Sequence, residues 1–186
     1  KSSLLKILKK TEEVDDGIIW FSPNLKLFYL EQDPPEPFIK NLVDFLIKDI
    51  EFPDLSKVED IINQLNLKNI NYKKRLSGGE IRKIYIAKSI LSESDILLLD
   101  EPTNHIDLPT IDWLERKLLF LKKTMVIVSH DQEFLKKIGT KTFWFHNRKI
   151  LKHEGPFKNF NEWSKELMEI KKIKSHKLKQ KIENET

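Results

Sequence analysis

Hydrophobic positions along this chain fall into two kinds of pattern. Residues 96–99 (Ile-Leu-Leu-Leu) and 125–128 (Met-Val-Ile-Val) are continuous apolar runs, read as strands buried on both faces in a parallel sheet covered by helices. Elsewhere apolar residues return at three- and four-residue intervals, the spacing of one helix face. Leu4, Leu5, Ile7 and Leu8 make such a stripe, and a second lies in residues 38–50. A third, in 55–67, has Ser56 as expected N-cap and Glu59 three residues on. Ile84, Ile86, Ala87, Ile90 and Leu91 form a fourth, and Trp113, Leu114, Leu118 and Leu121 a fifth, followed by a short helix at 134–138. Short strands are expected at 18–21 and 25–30, and a hairpin pairs 141–145 with 149–151 around Asn147-Arg148. Alternating strands and helices of this kind define an α/β fold.

Chemistry gathers where strands end. Asp100 and Glu101 follow the first apolar run, at the carboxyl edge where open α/β sheets bind ligands. One acid there can hold a metal, and a second beside it can orient or deprotonate a water. His130 ends the other run, where its ring can donate to a phosphoryl oxygen or stand as an ordinary surface residue. Gln32 ends the 25–30 strand before Asp33-Pro34-Pro35, with an amide oxygen for a metal or a water. Arg75-Leu76-Ser77-Gly78-Gly79-Glu80 precedes a helix: Ser77 can cap it, and the glycines let backbone approach an anion closely. Lys1-Ser2-Ser3 matches the end of a G-x-x-x-x-G-K-[ST] phosphate loop, or the start of a basic helix.

Composition narrows the field without deciding it. The 186 residues, 39% hydrophobic and with a net charge of +4, fit one ordinary domain with a buried core. So small a positive charge does not by itself prove nucleic-acid binding. The absence of cysteine excludes disulfides and thiolate metal sites and fits a reducing compartment. No apolar run approaches the length of a membrane span. Past Gly155-Pro156 the chain resumes a helical stripe at Phe157, Phe160, Trp163, Leu167 and Ile170, then turns strongly basic over 171–181. That tail is either a solvated helix or one that lies on nucleic acid.

Together these motifs resemble the nucleotide-binding domain of an ABC ATPase. Lys1-Ser2 is similar to the end of Walker A and Gln32 to the Q-loop. Leu76, Ser77, Gly78, Gly79 and Glu80 resemble the signature, and residues 96–101 resemble Walker B with Glu101 as its catalytic glutamate. Asn104, His105, Ile106 and Asp107 resemble the D-loop, and His130 the switch histidine. The run Glu101-Pro102-Thr103-Asn104-His105-Ile106-Asp107 is similar to the form found in ABC-F proteins, with Ile106 in place of leucine. Tyr29-Leu30-Glu31-Gln32-Asp33-Pro34-Pro35, residues 110–115 and Gly155-Pro156-Phe157 resemble the first ATPase domain of the Uup branch.

The resemblance implies a P-loop NTPase fold, an ABC-type nucleotide-binding domain with a mostly parallel core sheet and a small helical subdomain. Residues 1–154 would be the ATPase domain, cut at Walker A so that its N-terminal strands and Gly-rich loop are missing. Residues 36–92 would be the helical subdomain and 155–186 the start of a basic interdomain linker. It implies ATP and Mg²⁺ as ligands, with Lys1, Ser2, Ser3, Gln32 and Asp100 binding ATP. Ser2, Gln32 and, through water, Asp100 would hold the metal, while Glu101 and His130 are catalytic. Residues 76–80 would serve a second ABC domain's nucleotide in trans. The family's usual target is the ribosome, with rRNA and tRNA as partners, and its usual place is the cytoplasm, with an organelle also open. The intact protein is expected to hydrolyse ATP, and this fragment alone is not. The rival is the nucleotide-binding subunit of a membrane transporter. DNA-repair ATPases of the SMC or Rad50 kind, which insert a long coiled coil before the signature, do not fit, so DNA is not an expected partner.

Overall fold

The computed structural model describes residues 1–147 and 149–184, with side chains described up to residue 173. The chain forms two compact units, Lys1–Asp131 and Gln132–Thr186.

The first unit is built on a parallel sheet of three strands in the order β1 (Leu27–Leu30), β2 (Ile96–Asp100), β3 (Thr124–Val128). The uninterrupted apolar run of β2 follows from its central place: Leu97, Leu98 and Leu99 are all buried. Lys26 and Asp95 fix where β1 and β2 start together. The Lys26 N–H donates to the Asp95 carboxylate, and the Asp95 N–H to the Lys26 carbonyl, each at 2.9 Å. Parallel neighbours need a crossover, which α5 (Leu108–Phe120) provides between β2 and β3. Trp113, Leu114 and Leu118 are its buried face, and the Trp113 indole donates to Gln64 Oε1 at 2.6 Å. A short N-terminal helix, α1 (Ser2–Leu8), packs against β2 with Leu5 fully buried.

Three helices lie between β1 and β2 in sequence and pack on one another: α2 (Leu42–Ile47), α3 (Leu55–Gln64) and α4 (Gly78–Leu91). In α4 all five residues of the expected stripe are buried. The helix expected over 38–50 is shorter, because the Asn41 side chain accepts the Val43 and Asp44 N–H groups and fixes the start there. Asp54, and not Ser56, caps α3: its carboxylate takes the Lys57 N–H at 3.2 Å, which leaves Ser56 in the first turn.

No strand forms at 18–21. A strand needs a neighbour, and among the described residues this segment has none; Ile18 is 96% and Trp20 80% exposed. Phe21 instead lies under the Lys10 ammonium, 4.2 Å from the ring centre. β1 likewise starts at Leu27 and not at residue 25.

The second unit opens with α6 (Gln132–Ile138), followed by the antiparallel pair β4 (Thr142–His146) and β5 (Lys149–His153). Arg148, expected in the connecting turn, lies outside the described residues. A 3-10 turn at Phe157–Asn159 leads into α7 (Phe160–Asn184). Trp144 meets Phe160 and Trp163 edge-on at 5.5 and 6.1 Å between ring centres, and Phe157 stacks on Phe160. Such pairs contribute about 0.5–1.5 kcal/mol each beyond burial. Of the expected stripe, Trp163 and Leu167 are half-buried and Ile170 is exposed. In the basic stretch 171–181, the side chains beyond 173 lie outside the described residues.

Candidate nucleotide site

The in-register parallel pairing of β2 with β3 builds the centre of the site. Asp100 stands beside Val128, and the Glu101 N–H donates to the Val128 carbonyl at 2.8 Å. The residues after each strand therefore emerge side by side. The His130 N–H donates to Glu101 Oε2 at 3.0 Å, and His130 Nε2 stands 3.6 Å from Oε1. Glu101 is buried while the His130 ring is 82% exposed, so the imidazole faces solvent at the mouth of the site. Glu101 itself has φ 47°, left-handed backbone for a residue with a side chain.

Asp100 is 1% exposed, and Tyr29 on β1 donates its hydroxyl to Asp100 Oδ2 at 3.2 Å. Burial first, and the Asp100 charge second, push the Tyr29 hydroxyl from 10.0 up to about 12, so it stays a donor at neutral pH. The other oxygen, Asp100 Oδ1, is buried without a hydrogen-bond partner. A buried carboxylate oxygen without a hydrogen-bond partner at a strand end fits a charge that an approaching cation would balance. Among the described residues no group of three or more His, Cys, Asp or Glu stands ready to hold a metal.

Residues 76–80, expected as a signature segment, form a capped helix start. Ser77 and Glu80 make a capping box on α4: the Ser77 N–H donates to Glu80 Oε2 at 2.7 Å, and the Glu80 N–H to Ser77 Oγ at 3.3 Å. Glu36 accepts the Leu76 N–H at 2.8 Å. Ser77 and Gly78 are exposed, and neither hydrogen-bonds to Glu101 or His130 among the described residues. Gly79 is pressed against residues 104–107: a Cβ there would stand 2.8 Å from the His105 carbonyl oxygen. Asp107 closes that segment, capping α5 through the Thr110 N–H at 2.9 Å and pairing with Lys83 at 2.7 Å. Asn104 donates its N–H to the Glu101 carbonyl at 3.1 Å, and Ile106 carries the chain on to Asp107.

At the chain's start Lys1 is exposed and occupies the cap position of α1, with Ser2 half-buried and Ser3 exposed. Gln32 is also exposed, two residues past β1. Its backbone carbonyl, not its side chain, is tied in: Arg82 of α4 donates to it at 2.7 Å.

Sequence reasoning passed over Tyr29 and Arg82. Arg82 is 1% exposed and also reaches the carbonyls of Glu31 and Glu101. It lies four residues before the buried Ile86, and a charge on the apolar face of a helix is the signal that would have found it.

A parallel sheet with adjacent acids and a histidine at its strand ends, and a glycine-led capped helix beside them, is similar to the ATP-binding cassette domains among solved structures, and the α/β fold is of that class. The family model described as ABC transporter matches residues 1–104, and the chain belongs to that family. Within it the chain is Uup-like, 34% identical to the ATP-binding protein Uup of Buchnera aphidicola (Schizaphis graminum) across all of this chain and 33% of that protein. The energy-dependent translational throttle protein EttA of Haemophilus influenzae is 30% identical over 97% of this chain and 34% of its own length. Among solved structures, the archaeal ribosome recycling factor aABCE1, in its complex with the ribosomal stalk protein aP1, superposes with a TM-score of 0.64. It is 26% identical over 77% of this chain and 29% of that one. The chain thus spans about a third of the length of these relatives. Among the described residues no helix is long and apolar enough to cross a membrane.

Proposed function

We propose that this chain is the first ATP-hydrolysing cassette of an ABC-F protein that acts on the ribosome during translation, in the cytoplasm. Residues 1–154 are the cassette, with residues 36–92 its helical subdomain, and residues 155–186 begin the linker to a second cassette. The observation that carries the reading is the buried Glu101 carboxylate, fixed by the His130 N–H at 3.0 Å, directly after Asp100, whose buried Oδ1 has no hydrogen-bond partner.

In this reading Glu101 orients the attacking water and draws its proton, while the His130 ring steadies the γ-phosphate from the exposed side. Lys1 offsets phosphate charge and Ser3 contacts the α-phosphate. Ser2, Gln32 and, through water, Asp100 would hold Mg²⁺, which would neutralise charge on the phosphates. Residues 76–80 face a second cassette's nucleotide, and residues 104–107 line the contact between cassettes. The exposure of Ser77 and Gly78 supports a role toward a partner. Support for the ribosome comes from the names of the relatives: a translational throttle and a ribosome recycling factor.

The test is sedimentation of the intact protein with ribosomes in ATP, wild type beside Glu101→Gln. Co-migration of the variant, held in its ATP form, is expected. Partition of both proteins into the membrane fraction, with none on ribosomes, would replace this reading with that of a transporter subunit.

A further inference from the structure

Arg82 joins pieces of chain that are far apart in sequence. Its Nη1 donates to the Glu31 carbonyl at 2.6 Å, and its Nη2 to the carbonyls of Gln32 at 2.7 Å and Glu101 at 3.0 Å, with the Asp100 carbonyl at 3.5 Å. One side chain of α4 thus grips the end of β1 and the end of β2, the segments that present Gln32 and the two acids. All four acceptors are backbone oxygens, so the grip fixes the path of the main chain and leaves the carboxylates free for other work. Burial lowers the guanidinium's pKa from its ordinary value, and the charges of Asp33, Asp100 and Glu101 oppose that shift.

The placement has two effects. The Glu101 carbonyl is held just where the backbone turns left-handed at φ 47°, so Arg82 supports a conformation the residue does not favour by itself. Gln32 and Glu101 also share a single nitrogen, so a shift of one segment is felt by the other. The rigid planar fork of guanidinium makes this possible, and a lysine ammonium, a point donor on a flexible stem, cannot reproduce it.

We infer that Arg82 is a positioning residue for hydrolysis, holding the Gln32 loop and the Glu101 turn in one arrangement from the helix that begins with Ser77-Gly78-Gly79. The inference rests on the proposed ATP-hydrolysing function of the same site. The hydrogen bonds Arg82 donates among the described residues all go to main chain, so its loss should disturb turnover more than nucleotide binding.

The experiment compares Arg82→Lys with wild type and Glu101→Gln in the intact protein, following phosphate release, the KM for ATP and the folded fraction. Per folded molecule, Arg82→Lys is expected to lose about a hundredfold in kcat with KM nearly unchanged, as small misplacements of catalytic groups do. A wild-type kcat per folded molecule overturns the inference. Nitrogen NMR of the Arg82 guanidinium in the folded wild type gives a second readout, which decides the matter if the variant does not fold. Its resonances should shift when ATP is added, and unmoved resonances overturn the inference. Wild-type hydrolysis abolished by Glu101→Gln but untouched by Arg82→Lys removes the role of Arg82 alone. Absence of hydrolysis in the wild type removes the ATPase reading and this inference with it.

Discussion

Glu101 is held by the main chain of His130, whose N–H donates to Oε2 at 3.0 Å, while the His130 ring stands 3.6 Å from the other oxygen. Loss of the imidazole therefore leaves the bond that orients the carboxylate. In the intact protein Glu101→Gln should lower kcat by about a hundredfold or more while a fluorescent ATP analogue still binds. His130→Ala should cost less than Glu101→Gln, because the backbone donor survives. An equal or larger loss in His130→Ala would mean that the ring, not the N–H, sets the position of Glu101.

Tyr29 is the hydroxyl that satisfies Asp100, at 3.2 Å. Tyr29→Phe leaves a buried carboxylate without that donor and should destabilise the fold by about 1–3 kcal/mol in urea at neutral pH. The pH dependence has a defined sign. The hydroxyl is raised in the folded state from 10.0 to about 12, so its contribution is whole below pH 10 and vanishes as pH rises through about 12. Unfolding curves across that alkaline window should show a smaller pH slope in Tyr29→Phe than in wild type.

Gly78 and Gly79 should respond differently to alanine. At Gly79 a methyl group would lie 2.8 Å from the His105 carbonyl oxygen, a backbone atom, whereas at Gly78 it meets nothing within 4 Å. Gly79→Ala should therefore lower stability by about 1–3 kcal/mol, the usual range for overpacking. Gly78→Ala should unfold like wild type, so any activity it loses reports on something that approaches from outside the chain. Thermal unfolding of the pair settles the contrast.

Asp107 caps α5 and pairs with Lys83, and these bonds, Lys83 first and Thr110 second, lower its pKa from 3.8 to about 2. Asp107→Ala should cost about 1 kcal/mol for the cap. The exposed ion pair adds less than about 1 kcal/mol, because solvent and salt screen it. The lowered carboxylate stabilises the fold above its unfolded value of 3.8 and ceases to as pH falls through about 2. The stability difference between wild type and Asp107→Ala should shrink over that acid window.

Much of the sheet could be read from the chain because its signal is local. The unbroken run into β2 marks a central strand, and Asp100 and Glu101 at its end follow directly from register. Ser77 and Glu80 likewise announce their capping box three residues apart. What could not be read was long-range. The segment at 18–21 has strand-like residues, but pairing depends on a neighbour that propensity does not supply. Asp54 won over Ser56 because cap geometry is decided by where the backbone leaves extended conformation. Tyr29 meets Asp100 across 71 residues of chain, and Arg82 meets Glu31 across 51, so neither link leaves a periodic trace.

The backbone at Glu101 has a consequence for how this position would drift under selection. At φ 47° a side chain is a burden, and glycine or asparagine would sit there with less strain. A library selected only for folding should accumulate those residues at position 101, while one selected for turnover should hold glutamate against that pull. The gap between the two outcomes would measure, in mutational terms, how much conformational comfort this domain gives up to keep one carboxylate in place.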